Sequence, residues 1–149
     1  MPYDAAQVSD ILELKDLALR YAQAVDGRNA EALCALFEED GVIDGSGYLA
    51  QGYGEISRIT SLLNKRYEAT FHSVQNHTIR LAGDEAEGEV YALSHHLRKE
   101  PDDSFVDYVM VMRYRDRYLR GPQGWRFRQR HILLDWTETR PAQRPAQLG

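Results

Sequence analysis

The apolar pattern of this chain changes period once, near Ala69. Before that point apolar residues recur at intervals of three and four; after it they alternate. The first spacing marks one face of a helix and the second one face of a strand, so helices come first and strands afterwards. Ile11, Leu14, Ala18, Tyr21 or Ala22, and Val25 predict a first helix, which Ser9 or Asp10 can cap. Asp26-Gly27 ends it, with Gly27 suited to the left-handed position past a helix end. A short second helix runs from Asn29, with Leu33, Leu36 and Phe37 on one face, and Glu38, Glu39, Asp40 and Gly41 close it. Val42-Ile43 reads as a short strand and Asp44-Gly45-Ser46-Gly47 as a turn. Ile56, Ile59, Leu62 and Leu63 predict a third helix over residues 53–66.

Alternation then predicts strands over 71–81, 85–97, 104–119 and 125–136, joined by short turns such as Ala82-Gly83-Asp84 and Gly121-Pro122-Gln123-Gly124. Strands joined this way form an antiparallel meander. On the third of them Val106, Tyr108, Met110, Met112 and Tyr114 share a face. The expected class is α+β: three N-terminal helices on one face of a long, curved antiparallel sheet. The 149 residues make one domain over 1–139. The tail 140–149 repeats Arg-Pro-Ala-Gln, and Pro141 and Pro145 are expected to stop regular structure there.

Composition removes several function classes. Eighteen Lys and Arg against 23 Asp and Glu leave a net charge of -5, which disfavours nucleic acid as a partner. No apolar run is long enough for a membrane span. The first residues carry no basic and apolar leader, so the expected location is cytoplasmic. The single cysteine, Cys34, can make neither an internal disulfide nor a cysteine metal site. Nine tyrosines against four phenylalanines are an excess of polar-tipped aromatics, a first hint of a site, although the same side chains could equally be ordinary core.

The chemistry-bearing candidates are few. Of His72, His77, His95, His96 and His131, none falls in a strong metal pattern, so no metal is expected; each could equally be structural. His95 and His96 are adjacent and point to opposite faces of a strand. Asp26 stands at a helix C-terminus, where the dipole disfavours a carboxylate. Two readings stay open for it: a functional carboxylate, or the start of a turn that caps the next helix. Arg113, Arg115, Arg117, Arg120, Arg126, Arg128 and Arg130 alternate along two strands and read as the solvated face of a hairpin.

Four stretches carry a family resemblance: LALRYAQAVDGR at 17–28, LFEEDGVIDG at 36–45, FHSVQN at 71–76 leading to GDEA, and GWRF with Asp135-Trp136 near the end. With these the chain resembles the SnoaL-like, scytalone-dehydratase-like proteins of the nuclear-transport-factor-two superfamily. That group includes ketosteroid isomerase, polyketide cyclases, bile acid dehydratase and hexachlorocyclohexane dehydrochlorinase. The resemblance implies a cone-shaped α+β barrel in which helices close one end of a bent sheet around a pocket. It implies His72 as the base, Asp26 as its hydrogen-bond partner, and Tyr21 as a pocket tyrosine. Asn76, Tyr48 and one of His95 or His96, with spacing favouring His96, fall at further pocket positions, and Tyr108 joins them from the shared strand face. Val25 stands where scytalone dehydratase has a tyrosine, so scytalone itself is not the expected substrate. The expected activity is a cofactor-independent dehydratase acting on a cyclic or aromatic-like small molecule. An isomerase or cyclase using the same base, and a non-catalytic binding module, remain alternatives. A homo-oligomer is expected, the dehydratase branch tending to trimers and the isomerase branch to dimers, with the trimer favoured by analogy.

Overall fold

The computed structural model describes residues 2–145. Helix α1 spans Ala5–Asp26 and starts earlier than Ser9 or Asp10. Its cap is Asp4, in a reciprocal capping box: Asp4 accepts from the Gln7 amide at 2.8 Å and its own amide donates to Gln7 Oε1 at 3.0 Å. Asp10 has other partners, accepting from Trp125 Nε1 and Arg120 Nη1. At the other end Gly27 stays right-handed, at φ -80, and Arg28 takes the left-handed position at φ 55. Arg28 is held there by its own Nη1, which donates to the Val25 carbonyl at 2.8 Å.

Asn29 caps the short α2, Ala30–Cys34, by accepting from the Ala32 amide. The residues expected to close it instead open β1, Phe37–Gly45. A hairpin leads to β2, Tyr48–Gln51, through Ser46 and Gly47, both at positive φ, the geometry that suits strand twist. The expected third helix is split at Ser57 into α3, Gly52–Ile56, and α4, Arg58–Arg66. The Ser57 hydroxyl donates back to the Gly54 carbonyl, a local bond that competes with the helix ladder. Four long strands follow: β3 (Ala69–Ala82), β4 (Glu85–Lys99), β5 (Phe105–Gly121) and β6 (Gly124–Ala142).

The sheet order is β2-β1-β6-β5-β4-β3. The sheet is curved and unclosed, and α1 packs on it along β3 and β6. The meander is antiparallel as expected, but β6 docks beside β1 in parallel, so the sheet as a whole is mixed. The reason is the crossover: α3 and α4 carry the chain to the far edge, and the meander returns to β1. Pro141 does not stop β6. It pairs opposite Val106, on a stretch that has β5 on one side and no strand on the other, and a proline is tolerated on such an edge. Residues 146–149 of the expected tail lie outside the described residues.

Bulges re-aim the strands. In β3 the register shifts between Val74 and His77; in β6 it shifts beside Arg128 and again beside Asp135. Each extra residue swaps which side chains face the core. Trp125 and Phe127 point inward, yet so do Arg130 and Ile132 after the shift. The arginine series therefore does not keep to one solvated face. Arg113 and Arg115 are on the outer face, paired with Asp135 and Glu89, whereas Arg130 is 1% exposed.

Arg130 meets its directly opposite neighbour, Asp116, through two hydrogen bonds of 2.9 and 2.8 Å. Tyr118 donates to the same carboxylate at 2.9 Å, and the His77 ring meets the Tyr118 hydroxyl at 3.1 Å. The rings of Tyr21, Tyr114 and Phe127 lie 4.4, 3.9 and 4.6 Å from the guanidinium carbon. The buried core also holds Leu14, Leu17 and Val25 of α1, with Phe37, Val90 and Met112. Asp116→Ala leaves a buried cation unpaired, and urea unfolding should register a loss of about 3–5 kcal/mol. The double replacement Asp116→Leu/Arg130→Met should recover most of that loss.

Candidate active site

Asp26 is the last residue of α1, and the helix delivers its carboxylate to the start of β3. There Oδ2 accepts from the His72 backbone amide at 2.8 Å and Oδ1 meets His72 Nδ1 at 2.7 Å. A carboxylate acceptor makes Nδ1 the donor, which in the neutral ring leaves Nε2 with its lone pair free. The Thr70 hydroxyl also donates to Asp26 Oδ1, at 2.9 Å, and Arg28 Nη1 donates to Thr70 Oγ1 at 2.7 Å. The guanidinium occupies the hydroxyl's acceptor side and so aims its proton at Asp26. Burial alone would raise the Asp26 pKa. The ring and backbone bonds from His72, its charge and the Thr70 hydroxyl outweigh that and hold it below the usual carboxylate value.

His72 lines a cavity of about 420 Å³ between the helices and the inner face of the sheet. Val25 of α1, Ile59, Leu62 and Leu63 of α4, and Met110 and Met112 of β5 make its apolar walls. Tyr21 and Tyr114 are on its floor, over Arg130. Burial raises the Tyr21 phenol to about 12, against the pull of the Arg130 charge, so Tyr21 keeps its proton at neutral pH. Tyr48, from β2, lines the opposite side, and burial raises its phenol too.

Of the adjacent histidines, His96 is the one that faces the cavity. It packs edge-on to the His72 ring at 5.9 Å, and its Nδ1 donates to the Tyr108 carbonyl at 2.9 Å. Burial pushes its pKa down to about 4, so it is neutral near pH 7 with Nε2 as acceptor. His95 turns to the outer face and pairs with Asp107. Two expected positions do not line the cavity. Asn76 is exposed, because the bulge between Val74 and His77 turns His77 inward in its place. Tyr108 stands behind His96, ring centroids 6.0 Å apart, with Arg98 over its own ring.

Sequence reasoning missed Thr70, Arg28, Asp116 and Arg130. Alternation could have found Thr70, which is two residues before His72 and so on its face. No sequence signal marks Arg130, since the bulge that turns it inward is invisible in the pattern. Among the described residues no three His, Cys, Asp or Glu side chains converge to hold a metal, and no helix is long and apolar enough to cross a membrane. A wider depression of about 550 Å³ lies on the outer face of the sheet among Arg80, Glu87, Glu89 and Arg115. Arg80 pairs with Glu87 and Arg115 with Glu89 along it, and it contains neither His72 nor Asp26.

A family model of the SnoaL-like domain matches residues 6–131. An uncharacterised protein of Mycobacterium tuberculosis is 29% identical over 130 residues, covering 84% of this chain and 85% of that protein. Among solved structures, a type 2 hexachlorocyclohexane dehydrochlorinase (LinA) superposes with a TM-score of 0.84 at 17% identity, covering 99% of each chain. A candidate scytalone dehydratase from Novosphingobium aromaticivorans superposes at 0.80 with 19% identity, covering 96% of this chain and 95% of that one. At these identities the structural matches establish the fold.

His77 and His96 both have folded pKa values near 4, below the ordinary 6.5, so the unfolded chain binds protons first as pH falls. Their neutral forms favour the native state above about pH 6.5, and that advantage shrinks as pH falls towards about 4. Urea midpoints measured from pH 7 to pH 4 should therefore decline, and His96→Gln should flatten part of the slope.

Proposed function

Because the chain belongs to the SnoaL-like family, within the nuclear-transport-factor-two-like superfamily, we propose that it is a cofactor-independent lyase, a dehydratase acting on a small cyclic molecule. The observation that carries this is the 2.7 Å contact between His72 Nδ1 and Asp26 at the wall of an apolar cavity. The family, and structural neighbours named as a dehydrochlorinase and a candidate scytalone dehydratase, support action on small molecules.

The substrate is seated with the carbon next to a carbonyl facing His72 Nε2. His72 takes the proton from that carbon, and Asp26 stabilises the imidazolium and keeps its orientation. The electrons of the broken C–H bond form the new C=C bond as the C–O bond to the neighbouring hydroxyl breaks. Tyr21, or Tyr48 from the opposite side, gives its proton to the departing oxygen, so water leaves, and the phenolate recovers a proton carried off by His72. Burial that keeps Tyr21 protonated suits a donor and not a base. The cavity lies at the lower end of the about 300–1,000 Å³ range of small-molecule pockets, which fits a compact ring system. Phe71, Tyr91 and Trp136, exposed on the outer face of the sheet, favour self-association into the expected trimer.

A library of cyclic β-hydroxy carbonyl compounds, followed by mass spectrometry, tests the chemistry. A product lighter by one water is expected. His72→Ala should slow its formation by about 10²–10⁴-fold, and Tyr21→Phe should slow it less, with the unfolding midpoint of each variant retained. Undiminished turnover by His72→Ala would sink the base assignment. A product of unchanged mass would make the enzyme an isomerase, and binding without turnover would leave a ligand carrier. Mass measured in solution reads the subunit number, with three expected.

A further inference from the structure

The chemistry of the cavity is uneven. The floor and walls are neutral, whereas one fixed cation, Arg66, lines it from an exposed position at the end of α4. Most arginines around the sheet are engaged by carboxylates: Arg80 by Glu87, Arg113 by Asp135, Arg120 by Asp10 and Asp84, Arg130 by Asp116. Among the described residues no carboxylate takes up Arg66. A cation at a helix C-terminus is favourable in itself, but that applies equally to Lys65, which does not line the cavity.

Two phenols share this mouth. Tyr48 comes from β2 and Tyr67 directly follows α4, and both line the cavity. Burial raises both phenols while the charge of Arg66, which lines the same cavity, pulls both back. Glu55 is the acidic group near Tyr48, and its Oε2 accepts from the Gln51 amide at 2.7 Å. The cavity is thus lined by one planar donor fork without a carboxylate partner among the described residues and by two phenols, on a protein of net charge -5.

We propose that the substrate is an organic anion, with its ring body in the apolar cavity and a single carboxylate or sulfonate held at the mouth by Arg66, Tyr48 and Tyr67. This rests on the reading of the cavity as the reaction site and adds the class of molecule it selects. The acidic group sets the depth of the ring, and so which carbon reaches His72.

Two fluorescent probes separate charge from shape: anilinonaphthalene sulfonate and phenylnaphthylamine share their rings and differ in the sulfonate. Titrated against the full chain, the sulfonate should bind at least about tenfold tighter than the neutral amine, the scale of one charge-assisted hydrogen bond. Arg66→Gln should erase that preference by weakening the sulfonate alone, and Arg66→Lys should restore part of it. His72→Asn should keep the preference, because binding of the probe needs no proton transfer. Equal affinity of the native chain for the two probes, or unchanged sulfonate binding by Arg66→Gln, overturns the proposal. Loss of the base assignment for His72 with the charge preference intact strikes the reaction alone.

Discussion

A buried ion pair underlies the cavity floor, and much of the interior is arranged to accommodate it. Arg130 and Asp116 are 1% and 2% exposed, and neither could be left there without the other. Their two hydrogen bonds consume the carboxylate's better positions, and the Tyr118 hydroxyl takes one more. The guanidinium faces cannot be hydrated, so aromatic rings cover them: Tyr21 from α1, Tyr114 from β5 and Phe127 from β6. The same two tyrosines form the cavity floor. The charge that the core tolerates is thus also the charge that acts on Tyr21, a phenol that lines the same cavity as His72.

That arrangement depends on strand irregularity. A regular β6 would put Arg126, Arg128 and Arg130 on one face, with Trp125 and Phe127 on the other. The extra residue beside Arg128 keeps the aromatics inside and brings Arg130 in after them. The bulge in β3 acts in the same way: His72 and Val74 face the interior before it and His77 after it. Each bulge changes which side chain meets α1 without altering the order of the strands.

The site itself is built by two elements of unlike kind. A helix end supplies the carboxylate, and a strand supplies the histidine, its own amide and the Thr70 hydroxyl. A carboxylate at a helix C-terminus is locally unfavourable, and three hydrogen bonds from β3 offset that. Arg28, at positive φ, links the helix end to the strand through the Val25 carbonyl and Thr70. Backbone strain at Arg28 therefore sits beside the contact that gives His72 its orientation.

The class of fold was legible in the sequence, because a change of hydrophobic period is a local property that survives into the structure. The sequence also located His72 and Asp26, through the resemblance and through a carboxylate set against the helix dipole, and it placed Tyr21 and Tyr48 near the same pocket. The tertiary structure decided what depends on register and on distant neighbours. It set β6 parallel to β1, turned Asn76 outward and Arg130 inward, chose His96 over His95 for the cavity, and carried β6 through Pro141 on a free edge. A one-residue bulge reverses the facing of every residue beyond it, and nothing in the alternation of a single strand records where the partner strand has one residue fewer.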